Sequence, residues 1–213
     1  MRAWVSFYCL LFATITQPAF AAEPAETTRP ITDADSILTV YTQGLGLASN
    51  GRAPQRLVFA AWPDGRVIWS EDQTQGGPPY RTATIHPARL EKALVTINRD
   101  GFFGDPALAQ PKFGPDAQAT VIYARTKRGE LKMQSWHELY EADGKVVATD
   151  AGLTPLAGRS RPDILRGATP EYLYYRVAWA DIRRLASALI PVESQSTKGH
   201  LDMREGKAIW IEE

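Results

Sequence analysis

Leu57-Val58-Phe59-Ala60-Ala61-Trp62-Pro63-Asp64-Gly65-Arg66-Val67-Ile68-Trp69-Ser70 sets the fold class. Its flanks, Leu57 to Trp62 and Arg66 to Ser70, are rich in apolar, β-branched and aromatic residues that suit a pleated, packed surface. Between them Pro63-Asp64-Gly65 has turn chemistry: proline presets φ, aspartate bonds to the backbone beyond it, and glycine accepts positive φ. The pattern predicts a β-hairpin, and because nearly every flanking position is apolar, both of its faces are expected to be covered.

Downstream, Gly76-Gly77-Pro78-Pro79 is expected to be a loop and Tyr80 to Ile85 a short strand. Pro87 stands at the first-turn position of a helix, where its missing N–H costs nothing, and Leu90, Ala93, Leu94 and Ile97 make one buried stripe. Gly101 ends that helix, with Phe102 and Phe103 tucked beneath it. After a proline- and glycine-rich connection, Gly104 to Pro115, a second hairpin is predicted from Gln118 to Arg125 and Glu130 to Tyr140 around Lys127-Arg128-Gly129. The Asp143-Gly144 turn leads to a further strand at 145–149, and 151–170 is expected to be a long irregular loop. Tyr175, Ala178, Trp179, Ile182, Leu185, Ala186 and Leu189 form a continuous helical stripe that Pro191 stops. Lys207 to Ile211 is expected to return as an edge strand.

Upstream, 31–55 has few apolar residues and several glycines, among them Gly44, Gly46 and Gly51, and is expected to be loop. It lacks the glycine fingerprint and following helix of a phosphate-binding turn. The expected architecture is α+β: an antiparallel sheet built from two hairpins, with two amphipathic helices packed on it, in a single domain over 31–213.

Residues 1–21 have the form of an export signal, with a positive Arg2, an apolar run to Ile15, a Gln17-Pro18 break and the small-x-small stretch Ala19-Phe20-Ala21. Cleavage is expected before Ala22, and the apolar run is shorter than the ~20 residues of a spanning helix. Residues 22–30 are expected to form a disordered tether. The protein is therefore expected to act in the periplasm or outside the cell. The single cysteine, Cys9, lies inside the signal, which excludes disulfides, thiol nucleophiles and cysteine-bound metals from the remainder. Lys plus Arg equal Asp plus Glu at 24 each, so there is no overall field to recruit nucleic acid or an anionic membrane.

The chain resembles uncharacterised exported bacterial proteins that share four pieces, here Trp62 to Trp69, the loop Gly76 to Tyr80, the helix end Asp100 to Phe103, and the stretch Ser135-Trp136-His137-Glu138. The resemblance covers about half of the exported chain. It implies the hairpin and helix core and export, and brings no activity with it.

Ser135-Trp136-His137-Glu138 is the most chemically suggestive cluster, since a histidine beside a carboxylate can act as a general base. Strand alternation instead places Leu131, Met133, Ser135, His137 and Leu139 on one face, making His137 a hydrogen-bonded residue at the margin of the core. A helical His-Glu-x-x-His zinc pattern is absent, and His86, His137 and His200 have no ligand spacing, so no metal or cofactor is expected. Gly-x-Ser-x-Gly is also missing. Arg159, Arg161 and Arg166 form an anion-binding candidate in the 151–170 loop, with pairing to Asp163 or Glu171 as the plain alternative. Tyr80 and Trp136 join them as candidate ligand contacts, and Tyr80 and Tyr172 are expected to be the aromatics freest to meet solvent. The expected function is a non-catalytic exported domain that binds a protein, peptide or envelope component. The alternatives are a hydrolase using His137 with an unidentified acid, and a structural component of an envelope complex.

Overall fold

The computed structural model describes residues 35–44, 55–112, 118–127, 129–204 and 207–213. The export signal, the tether and Gly46 to Gly51 lie outside them. The quoted hairpin forms, but inside a longer meander: β1 (Leu38–Gly44), β2 (Arg56–Ala61), β3 (Arg66–Ser70) and β4 (Tyr80–Thr84) pair antiparallel in turn. The turn between β2 and β3 is built as expected. Asp64 Oδ1 accepts from the Arg66 amide at 2.9 Å, and Gly65 sits at φ 90°, where a Cβ would lie 2.2 Å from the Ile85 carbonyl oxygen.

The 31–55 region, expected to be loop, contains a strand. Within it β1 is an interior strand of the sheet, pairing on its other side with β5 (Gln118–Thr126) from Leu38↔Ala124 to Gly44↔Gln118. Between β4 and β5 the chain forms α1 (Pro87–Arg99) and α2 (Pro106–Ala109), the latter inside the predicted connection. β6 (Gly129–Ser135) completes the second hairpin at one edge, and β9 (Gln195–Thr197) closes the other. The main sheet has seven strands in the order β6-β5-β1-β2-β3-β4-β9, and each neighbouring pair is antiparallel.

The remaining elements depart further from expectation. The strand predicted over Glu130 to Tyr140 stops at Ser135, and α3 (His137–Glu141) follows. β7 (Val146–Thr149) pairs with β8 (Gly152–Pro155) as a separate ribbon, and α4 (Arg161–Leu165) occupies more of the supposed 151–170 loop. α5 (Pro170–Leu189) is the long C-terminal helix, capped by Thr169, whose hydroxyl accepts from the Tyr172 amide. β11 (Lys207–Glu212) joins β10 (Gly199–Arg204) in its own hairpin rather than the sheet edge. The α+β class stands, with five helices and seven strands in the main sheet among the described residues.

Two clusters cover the two faces of the sheet. On one, Leu90, Ala93, Leu94 and Ile97 of α1 and Tyr175, Ala178, Trp179, Ile182, Ala186 and Leu189 of α5 pack on residues such as Val40, Phe59, Trp69, Ile122 and Met133. These are the stripes that helical spacing marks out, with Leu185 only partly buried. Each Leu, Ile, Val or Phe buried in this way stabilises the fold by about 1.5–3 kcal/mol. On the opposite face Ala208 and Trp210 of β11 lie over Leu57, Ala60, Trp62, Ile68 and Tyr80. A bulge in β2 sorts the residues: Val40 pairs with Phe59 and Tyr41 with Leu57, so Val58 is the extra residue and joins Phe59 on the helix side.

Candidate functional site

The turn from β6 into α3 positions the Ser-Trp-His-Glu cluster. The Lys112 amide donates to the Gln134 carbonyl at 2.7 Å, the Trp136 amide donates to Lys112, and the chain then winds into helix. Helical spacing puts Glu138 and Glu141, three residues apart, on one face toward α5. Glu138 accepts from Trp179 Nε1 at 2.8 Å and Arg183 Nε at 2.9 Å. Glu141 accepts from Arg176 through both of its oxygens at 2.8 and 2.9 Å, from the Ala148 amide at 2.6 Å, and from Arg161 Nη1 at 2.5 Å. The two carboxylates fasten α3 to α5, β7 and α4.

His137 sits inside this joint with only 4% of its surface exposed. Its Nδ1 lies 2.5 Å from Ser135 Oγ, and its ring meets Trp179 edge-on at 5.4 Å. Burial pulls the imidazole down from its ordinary 6.5 to about 3, with Arg176 and Arg161 acting in the same direction. The ring is therefore neutral at physiological pH. The strand predicted for this segment is wrong, because His137 begins a helix; the expected burial at the core margin is what the structure has.

A pH dependence follows. The unfolded chain takes up a proton near 6.5 that the folded ring refuses until about 3, so stability falls as pH drops through that window. One such group steepens the fall by up to about 1.4 kcal/mol per pH unit. His137→Gln is expected to flatten the dependence, read as the difference in urea unfolding free energy between about pH 7 and about pH 4.5. An unchanged difference would mean that the ring is not held neutral.

The candidate ligand contacts do not converge. Trp136 is buried against Tyr140 at 5.4 Å. Tyr80 is buried on the opposite face of the sheet, under the edge of Trp210 at 5.0 Å. Tyr172, expected to be free for solvent, is 1% exposed with its hydroxyl toward the Ala148 carbonyl. Of the three arginines, Arg161 belongs to the Glu141 joint, Arg166 pairs with Asp163 at 3.0 Å, and Arg159 is exposed on the turn before α4. Sequence reasoning passed over Arg176 and Arg183, which flank Trp179 at a spacing of seven. Two arginines one heptad apart beside a buried aromatic stripe are the pattern that would have drawn attention to them.

Two open grooves lie elsewhere. One, about 680 Å³, runs beside α1 at the end of β1 and β5, with an apolar floor of Ile37, Leu90, Leu94 and Val95 and with Glu91 and Lys127 at its rim. The other, about 860 Å³, lies between the β2–β3 turn, β4 and the segment after α5. Among the described residues no three His, Cys, Asp or Glu side chains are grouped to hold a metal, and no helix is long and apolar enough to cross a membrane. No protein-family model, curated protein or solved structure matches the chain.

Proposed function

We propose that the protein is an exported, non-catalytic binding domain whose binding surface is the groove beside α1, and that its ligand is an apolar envelope component carrying an anionic end. The observation that carries this reading is the groove's floor. Val95 remains 58% exposed next to Leu90 and Leu94, which are buried together with Ala93 and Ile97 of the same helix. Its volume lies within the range of small-molecule sites, which are typically apolar with a few polar groups fixing orientation. Lys127, exposed at the rim, supplies the charge that would orient an anionic end. The residues with the best catalytic credentials support the same reading, since Ser135 and His137 are buried and Glu138 is committed to α5. A hydrolase working through that pair would have to lift α5 to admit a substrate.

Titration with an environment-sensitive naphthalene sulfonate dye, an apolar anion, tests the proposal. Saturable binding is expected, weakened about tenfold by Val95→Asp, a loss of about 1.4 kcal/mol, and by a smaller factor by Lys127→Glu. Both positions are exposed, so the urea midpoint should hardly move. Dye binding indifferent to both substitutions, or absent in the folded protein, would overturn the assignment.

A further inference from the structure

The second groove contains a cation that is held in place without a partner charge. Arg66 lies with its guanidinium carbon 4.5 Å from the centroid of the Trp62 ring, and Trp62 is fully buried, so the platform beneath the guanidinium is fixed by the core. Its Nε is buried with no hydrogen-bond partner, and among the described residues no carboxylate lies within ion-pair distance of it. Arg81, Arg125, Arg176 and Arg183 each have one. Asp64, two residues away, directs Oδ1 to the Arg66 backbone amide instead. A guanidinium held over an indole keeps its outer N–H groups available as a planar fork suited to a carboxylate.

The same groove is lined by Asp64 and by Glu193, both exposed and neither in contact with the Arg66 guanidinium. Opposite charges that share a groove without meeting leave room for a ligand that carries both complements. We propose that this groove binds a short peptide with free ends, its terminal carboxylate on Arg66 and its terminal ammonium on Glu193. A free α-amino acid carries the same two groups, but on a single carbon, too close together to reach across a gap that exceeds an ion pair. A peptide separates them by about 3.3–3.6 Å per residue when extended. The groove's 860 Å³ fits two or three residues with space for water. Thr84 of β4 adds a hydroxyl along the wall, whereas the Thr82 hydroxyl donates to the Val67 carbonyl at 3.1 Å and has only acceptor capacity left for a ligand.

The proposal is independent of the groove beside α1 and is tested separately from it. The full chain is titrated with unblocked trialanine, with its N-acetyl and C-amide forms, with the doubly blocked form, and with free alanine. Calorimetry gives affinity, and the NMR shift of the Trp62 indole N–H reports occupancy beneath Arg66. The unblocked peptide is expected to bind, and either single block to weaken it about tenfold, equivalent to about 1.4 kcal/mol. Glu193→Gln is expected to weaken the unblocked and C-amide forms while leaving the N-acetyl form unchanged. Arg66→Lys, which keeps the charge and loses the fork, is expected to weaken every form with a free carboxylate. Should Arg66→Lys prove unstable, exposed Glu193 still provides the decisive comparison. Equal binding of the doubly blocked peptide, no movement of the Trp62 resonance at saturation, or alanine binding as tightly as trialanine would each overturn the proposal.

Discussion

Replacing Glu141 with alanine is expected to lower the unfolding free energy by about 3–5 kcal/mol, the range for breaking a buried ion pair by removing one partner. Glu141 is 5% exposed at its side chain and receives both Nη groups of Arg176, itself 13% exposed. Without the carboxylate, Arg176 keeps the Ala148 carbonyl as its hydrogen-bond acceptor and the face of the Tyr172 ring at 5.9 Å, and the Ala148 amide loses its acceptor. Arg161, 43% exposed, can turn back to water and adds little to the loss. Glu141→Gln retains an acceptor for Ala148 and should fall between wild type and alanine. Urea denaturation reads the stability, and faster hydrogen exchange at Ala148 should accompany it. A loss below about 1 kcal/mol would show that water compensates Arg176, as it does for surface pairs.

Trp179→Ala is expected to cost a similar amount, about 3–5 kcal/mol, through the void left by a buried indole. Trp179 is 2% exposed, stacks on Tyr175 at 6.1 Å, receives the edge of His137, and donates to Glu138. Its removal therefore opens the α5 core and frees one end of α3 together. Trp179→Phe separates the two effects: it keeps most of the packing and loses the hydrogen bond, for about 1 kcal/mol plus a small void. Near-wild-type stability of the alanine variant would show that the α5 stripe does not bear on the sheet.

Local chemistry was enough wherever one short segment contained its own instructions. Pro63-Asp64-Gly65 specifies its turn through a fixed φ, a side chain bonding to the next backbone amide, and a glycine that alone fits beside Ile85. The α1 and α5 stripes are legible for a similar reason, since four or more apolar residues at helical spacing leave one face that has to be buried. His86-Pro87 and Thr169-Pro170 mark where each helix starts, and both His86 and Thr169 cap with their side chains.

The misread segments are those whose local pattern serves two structures equally well. Trp136 to Glu141 is too short for periodicity to separate strand from helix. What decides it is the pair Glu138 and Glu141, which finds Trp179, Arg176 and Arg183 on α5 only if three residues bring them to the same side. The arginines of 159–166 meet the same limit: sequence groups them, whereas the fold sends Arg161 to Glu141 and keeps Arg166 on Asp163.

The antiparallel α+β class, the turn between β2 and β3, and the α1 and α5 helices with their buried faces are legible in the amino-acid order alone, because each rests on interactions within a few residues. The place of Leu38–Gly44 in the interior of the sheet, between β5 and β2, was decided by the packing of the whole fold. The Thr39-Val40-Tyr41-Thr42 run has strand character, but nothing in it specifies Val121 and Ile122 as neighbours, and such pairing is settled by distant residues closing a sheet together. The same reason governs the candidate site. That His137 is enclosed by Trp179, that Tyr80 lies on the other face, and that Arg66 and Glu193 line one groove are relations between segments far apart in the chain, fixed only when the sheet and its helices pack.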